Sequence, residues 1–192
     1  MKTVGVLALQ GDFEAHQKAL ARAGARAVAV RRAAELDGLD GLIIPGGEST
    51  TMLRILRDEE LFEPLRRFGQ RRPIFGTCAG AILLASEVWN PQQESLGLID
   101  MGVERNSYGR QLDSHVAHLL PEEEFIRKAG PGGVEAVFIR APRIRRVGGE
   151  VNVYFRYQGD PVLVSQGAHL AATFHPELSS DTRIHTLFVE RL

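Results

Sequence analysis

Three observations predict an α/β fold built on a central, mostly parallel sheet flanked by helices. Short, near-continuous apolar runs alternate with amphipathic segments through the first half of the chain, the pattern of strands buried on both faces. Two of those runs end in glycine turns, at Gly46-Gly47 and Gly76. After Pro91 the texture changes to short strands separated by Gly130 to Gly133, Gly148-Gly149 and Gly159-Asp160, which predicts extra antiparallel strands in the second half.

The elements follow in order. Thr3 to Leu9 reads as a buried first strand. Asp12 is a candidate N-cap for a helix running to Ala23, with Phe13, Leu20 and Ala23 on one face and Gly24 as its stop. Ala27 to Val30 and Leu42 to Ile44 are the next strands. Thr50 to Arg57 and Leu61 to Phe68 read as helices, Pro73 to Gly76 as a fourth strand, and Ala79 to Val88 as the helix behind it. In the second half, Val103 to Asn106, His115 to Leu119, Val134 to Ile139, Val151 to Tyr157, Pro161 to Val164 and Leu170 to Phe174 read as strands. A final helix is expected over Asp181 to Arg191, with Ile184, Leu187, Phe188 and Arg191 at helical spacing. No linker or repeat interrupts this order, so residues 1–192 are expected to form one domain.

Composition narrows the classes. A net charge of -1 predicts no nucleic-acid footprint for the chain as a whole. Arg140, Arg143, Arg145 and Arg146 form a local basic run, read beyond Arg140 as a solvated or partner-facing surface. The first apolar run is too short for a membrane span and carries no cleavage-site pattern. With the sole cysteine, Cys78, these features predict a cytoplasmic protein without membrane association. His16, His115, His118, His169 and His185 have no metal-ligand spacing and read as surface or packing residues; no metal site is expected.

The chemistry concentrates at predicted strand ends, where open parallel sheets bind ligands. Cys78 lies in Phe75-Gly76-Thr77-Cys78-Ala79-Gly80, a Gly-x-nucleophile-x-Gly turn between strand and helix. Alone, it reads equally as a nucleophile or as a small core residue. His175-Pro176-Glu177 leaves a strand as either a base with its orienting carboxylate or a pair of capping residues. Pro45-Gly46-Gly47-Glu48-Ser49 is either a loop of backbone donors for an oxyanion or an ordinary turn capped by Ser49. Together the three pieces supply a nucleophile, a base with its orienter, and oxyanion donors from Gly47 and Ala79, the set needed for acyl transfer through a thioester.

With Leu9-Gln10-Gly11-Asp12, Pro45 to Thr51, Val103 to Gln111, Phe138 to Pro142 and Phe174 to Leu178 added, the chain resembles the glutaminase subunits of pyridoxal 5′-phosphate synthase, within the class I (triad) glutamine amidotransferases. The resemblance runs from first strand to last helix and implies their three-layer fold. It implies hydrolysis of L-glutamine to glutamate and ammonia, with Cys78 as nucleophile, His175 as base and acid, and Glu177 as orienter. It implies glutamine contacts from Gly47, Glu48, Ser49, Arg105, Ile139 and Arg140, with Arg105 either holding the α-carboxylate or bracing the pocket. It also implies a separate (β/α)8-barrel synthase subunit in a large hetero-oligomer. That subunit would condense the ammonia with ribose 5-phosphate and glyceraldehyde 3-phosphate. Gln10, beside the oxyanion loop, is expected to respond to that partner. The mechanism calls for no metal or bound cofactor. The competing readings are an amidotransferase subunit of another synthase, an elbow-cysteine hydrolase or chaperone, and a regulatory binding module.

Overall fold

The computed structural model describes residues 1–105 and 114–192. The motif Asn106 to Gln111, and the end of the strand expected to reach Asn106, lie outside the described residues. Strands and helices alternate first: β1 (Thr3–Leu7), α1 (Phe13–Arg22), β2 (Arg26–Val30), β3 (Gly41–Ile44), α2 (Ser49–Asp58), α3 (Phe62–Gly69), β4 (Ile74–Thr77) and α4 (Ala79–Leu84). Then come β5 (Ala85–Trp89), β6 (Ile99–Glu104), β7 (Ser114–Leu119), α5 (Glu123–Ala129), β8 (Val134–Ile139) and β9 (Arg143–Val147). The chain closes with β10 (Asn152–Tyr157), β11 (Asp160–Gln166), β12 (His169–Ala172) and α6 (Arg183–Val189).

Among the described residues the main sheet has seven strands in the order β10-β11-β12-β4-β3-β1-β2. β2, β1, β3, β4 and β12 run parallel to their neighbours in that order, and β11 and β10 add antiparallel at one edge. The two-residue period of a strand explains why these runs are apolar throughout. Val4, Val6, Ile43 and Phe75 point to one core with Leu20 of α1 and Ile184, Leu187 and Phe188 of α6. Leu7, Leu42, Ile44 and Ile74 point to the other, against Met52, Leu56, Leu65 and Leu83 of α2, α3 and α4. Helices therefore cover both faces, giving three layers, and the extra antiparallel strands lie in the second half as expected. No helix among the described residues is long and apolar enough to cross a membrane.

The structure departs from the sequence reading in several places. The helix behind Cys78 ends at Leu84, not Val88. Ala85 turns extended at φ -63° and ψ 151°, its carbonyl accepts from Ser95 Oγ at 2.6 Å, and Ala85–Trp89 pairs with β6. The apolar run hides this switch because Ala, Val and Trp suit either state until a partner strand is present. The arginine run is β9, paired antiparallel with β6 and burying Ile144. Arg145 bonds Glu104 at 2.7 Å and Asp160 at 3.1 Å, and Arg146 bonds Asp100 at 2.8 Å, so the run is paired with acids far away in sequence. Helix α5, not anticipated, buries only Phe125. The first strand stops at Leu7, and the last helix is shorter at both ends than the spacing suggested.

Candidate active site

Cys78 stands between β4 and α4 at φ 50°, a conformation that non-glycine residues seldom adopt and that the surrounding packing must enforce. Its N–H donates to the Ala172 carbonyl at 2.8 Å, and its carbonyl accepts from Ile82 N–H at 3.2 Å. The flanking glycines permit this elbow through close approach. A Cβ on Gly80 would lie 2.0 Å from the Ile44 carbonyl oxygen of β3, and one on Gly76 would lie 2.4 Å from the Gly80 carbonyl oxygen. The nucleophile-like turn is therefore a packing requirement of the β3–β4–α4 layer.

His175 lies three residues beyond β12, its backbone N–H held by the Val137 carbonyl of β8 at 2.9 Å. Pro176 opens a short 3-10 turn, Pro176–Leu178, which swings Glu177 back under the ring. Glu177 Oε1 lies 2.7 Å from His175 Nδ1, with the carboxylate side chain 1% exposed. The Cys78 sulfur lies 4.0 Å from the Ile139 carbonyl oxygen, and its side chain interacts with the His175 ring. Burial disfavours a charged His175, but hydrogen bonds to Cys78 and Glu177 and their negative charge outweigh it, pushing the imidazole up to about 10. The ring thus holds its proton at neutral pH.

The Pro45–Gly47 loop closes against this pair. A Cβ on Gly46 would meet His175 Cε1 at 2.6 Å and Cys78 Cβ at 3.3 Å, so only glycine admits the ring here. Gln10 Nε2 donates to the Glu48 carbonyl at 2.6 Å, tying the loop after β1 to the loop after β3. Ala79 opens α4, where the first-turn N–H groups have no intrahelical acceptor.

A cleft of about 360 Å³ opens over the elbow and is lined by Cys78, His175, Gly47, Glu48, Ser49, Arg105, Ile139 and Arg140, together with Gly11, Asp12, Gly46, Ile82 and Pro142. Glu177 and Gln10 stand behind its wall. A roomier hollow of about 580 Å³, beside Arg67, Arg71 and Arg72, offers no nucleophile and lies away from this chemistry. The cap of α2 is Glu48, not Ser49. Its carboxylate accepts from Thr50 N–H at 3.0 Å and Thr51 N–H at 2.6 Å. Although burial opposes it, those bonds hold the carboxyl down to about 2. Ser49 is the first helical residue, and its hydroxyl donates to Gln93 Oε1 at 2.9 Å. Arg105 donates to Thr50 Oγ1 at 2.6 Å and lies 3.5 Å from Glu48 Oε1. Arg140 sits at φ 45° on the rim, immediately after β8.

A thiol on a strand-to-helix elbow, a protonated imidazole on a carboxylate, and a glycine loop beside one cleft can carry out acyl transfer. The SNO glutamine amidotransferase family matches residues 6–192 of this sequence. The chain belongs to that family. It is 58% identical over its full length, and the relative's, to pyridoxal 5′-phosphate synthase subunit PdxT of Solibacter usitatus. It is 53% identical to the protein of the same name from Koribacter versatilis, over 97% of this chain and 94% of that one. A crystal structure of a glutamine amidotransferase superimposes with a TM-score of 0.87 at 46% identity, covering 98% of this chain and 97% of the other.

Sequence reasoning placed His16 and His185 among surface or packing histidines. Both are wholly buried; His16 lies 3.4 Å from Glu177 Oε2, and His185 lies against His16. The available signal was position: His16 shares the buried face of α1 with Ala19 and Leu20, and His185 stands between Ile184 and Leu187 on α6. A buried imidazole needs a polar partner. Among the described residues no group of three His, Cys, Asp or Glu side chains is placed to hold a metal ion.

Proposed function

We propose that this chain, as one glutaminase domain over residues 1–192, hydrolyses L-glutamine through a Cys78 thioester and supplies the ammonia to a pyridoxal 5′-phosphate synthase partner. The observation that carries the reading is His175 held between Cys78 and Glu177 at the floor of an open cleft. The Cys78 thiolate attacks the side-chain carboxamide carbon. Backbone N–H groups of Gly47 and Ala79 receive the oxyanion, each on the order of 3 kcal/mol. His175, already protonated, delivers its proton to the departing ammonia. Acylation removes the thiolate charge that helped raise the ring, so His175 can then take a proton from water as the thioester is hydrolysed. Glutamate leaves and the thiol is restored. No step calls on a bound metal or cofactor.

In the same reading Glu48, Ser49, Ile139 and Arg140 border the glutamine, and Arg105 braces the helix end beneath it. The partner is a (β/α)8-barrel subunit within a large hetero-oligomer in the cytoplasm. Gln10 couples docking to the oxyanion loop through its bond to Glu48. The support for this assignment is the family membership and the full-length likeness to subunits of that name. Ammonia release from L-glutamine, measured with and without the cognate synthase subunit and with Cys78→Ala as blank, tests it. Partner-stimulated release that vanishes in the blank is expected. Cysteine-dependent release indifferent to the partner would return the choice of synthase to question, and no release would overturn the glutaminase reading.

A further inference from the structure

Beneath the triad a buried polar chain crosses the molecule. His16 of α1 directs Nε2 toward Glu177 Oε2 at 3.4 Å and Thr77 Oγ1 at 3.1 Å, and its Nδ1 lies 3.1 Å from Nε2 of His185 on α6. Phe75 walls both rings, with centroids 6.4 Å from His16 and 5.8 Å from His185. Glu177 Oε2 and His185 Nδ1 have no hydrogen-bond partner among the described residues; His16 Nε2 bonds Thr77 and lies in polar contact with Glu177 Oε2. The charged and titratable groups facing this pair are Glu177 and His175 on one side and Arg22 on the other. Burial keeps both rings neutral, so each carries a single N–H.

Only two arrangements of the protons satisfy the His16–His185 bond. If His16 carries its hydrogen on Nδ1, its Nε2 lone pair, filled by the Thr77 hydroxyl, is set against the Glu177 carboxylate and His185 Nδ1–H is left as a buried donor without acceptor. If His16 carries it on Nε2, that N–H bonds Thr77 and lies beside the carboxylate, and His185 Nε2–H fills the bare Nδ1. His185 Nδ1 is then an unmet acceptor in place of an unmet donor. The second arrangement thus removes both a lone pair facing a carboxylate and a buried N–H without acceptor.

We propose that His16 is a positioning residue for the triad, its Nε2–H held beside Glu177 Oε2 by the His185 bond so that Glu177 Oε1 stays fixed on His175. This role rests on the reading of Cys78, His175 and Glu177 as the reacting triad. It extends that triad through His16 to His185 on α6.

The test compares two amides in the full chain assembled with its synthase subunit. His16→Gln places an amide near the Nε2 position and retains a donor for Glu177; His16→Asn places it near Nδ1 and does not. We expect kcat for glutamine to fall about 10- to 100-fold in His16→Asn, as for other residues that orient a catalytic ligand, with KM within twofold, and to be largely rescued in His16→Gln. The pH profile of Cys78 alkylation by iodoacetamide should shift in His16→Asn and stay near wild type in His16→Gln. Should His16→Asn fail to fold, His185→Leu against His185→Gln reads the same chain one bond further out. Unchanged kcat and alkylation profile in folded variants would overturn the proposal, as would equal losses in the Asn and Gln variants that track only their melting temperatures. An alkylation shift confined to the Asn variant, in a protein that does not hydrolyse glutamine, would uphold the positioning role and reject the substrate.

Discussion

The two sides of His175 are built by different means. On the Cys78 side the ring faces a cleft made of backbone: a strained elbow, two close-packed glycines and a loop that only glycine lets pass. On the Glu177 side it faces a sealed stack of side chains from four separate segments, with almost no exposed surface. In the proposed reaction the open side would admit a substrate and present donors, which main chain that approaches closely can do. The closed side must hold one proton arrangement, so it is made of buried polar groups whose partners are few.

The comparison can be broken from either side. The largest effect should come at the join: Glu177→Gln keeps shape but replaces a charged acceptor, and should lower kcat by about two to four orders of magnitude with the fold intact, as ammonia-release kinetics and circular dichroism would show. Acid should act on the closed side. His185 is held down to about 4 by burial and by Arg22, and His16 is lowered also, so the unfolded chain binds more protons than the native one below pH 6.5. The stability that these two rings contribute should therefore be complete above pH 6.5 and decline as pH falls towards 4, with His185 contributing on the order of 3 kcal/mol, whereas the raised His175 contributes in the opposite sense, lost as pH rises towards 10. Urea unfolding at pH 7 and pH 4.5, with His185→Phe showing a flatter dependence, checks this.

Gly80→Ala attacks the open side. Its Cβ would meet the Ile44 carbonyl at 2.0 Å, so α4 must move, costing about 1–3 kcal/mol in thermal unfolding and displacing Cys78. The smallest effect is expected at the periphery. Gln10→Ala removes one bond to the Glu48 carbonyl and should reduce partner-stimulated turnover while leaving the rate of Cys78 alkylation unchanged. Unchanged stimulation would remove Gln10 from any partner response.

The open side was legible because its signals are local. Gly-Thr-Cys-Ala-Gly, Pro-Gly-Gly and His-Pro-Glu each place their residues within one turn of chain, and backbone geometry does the rest. The closed side was not, because His16, Thr77, Glu177 and His185 come from segments far apart in the sequence. The same division explains the fold. Apolar runs alternating with amphipathic segments predicted β1 to α4, whereas the turn from α4 into β5 and the pairing of the arginine strand β9 depended on β6, which reaches both from a distance.

By itself, then, the sequence determined which strands are buried on both faces, where the chain must turn on glycine, and which side chains can act as nucleophile, base and orienter, because each of these follows from periodicity or from a few adjacent residues. The tertiary structure alone decided that Arg105 reaches Thr50 and Glu48, and that His16, with His185 behind it, lies against Glu177. Those choices depend on which groups packing brings together from distant segments; the two histidines lie in a water-poor interior, where a polar atom takes the partner that packing brings to it.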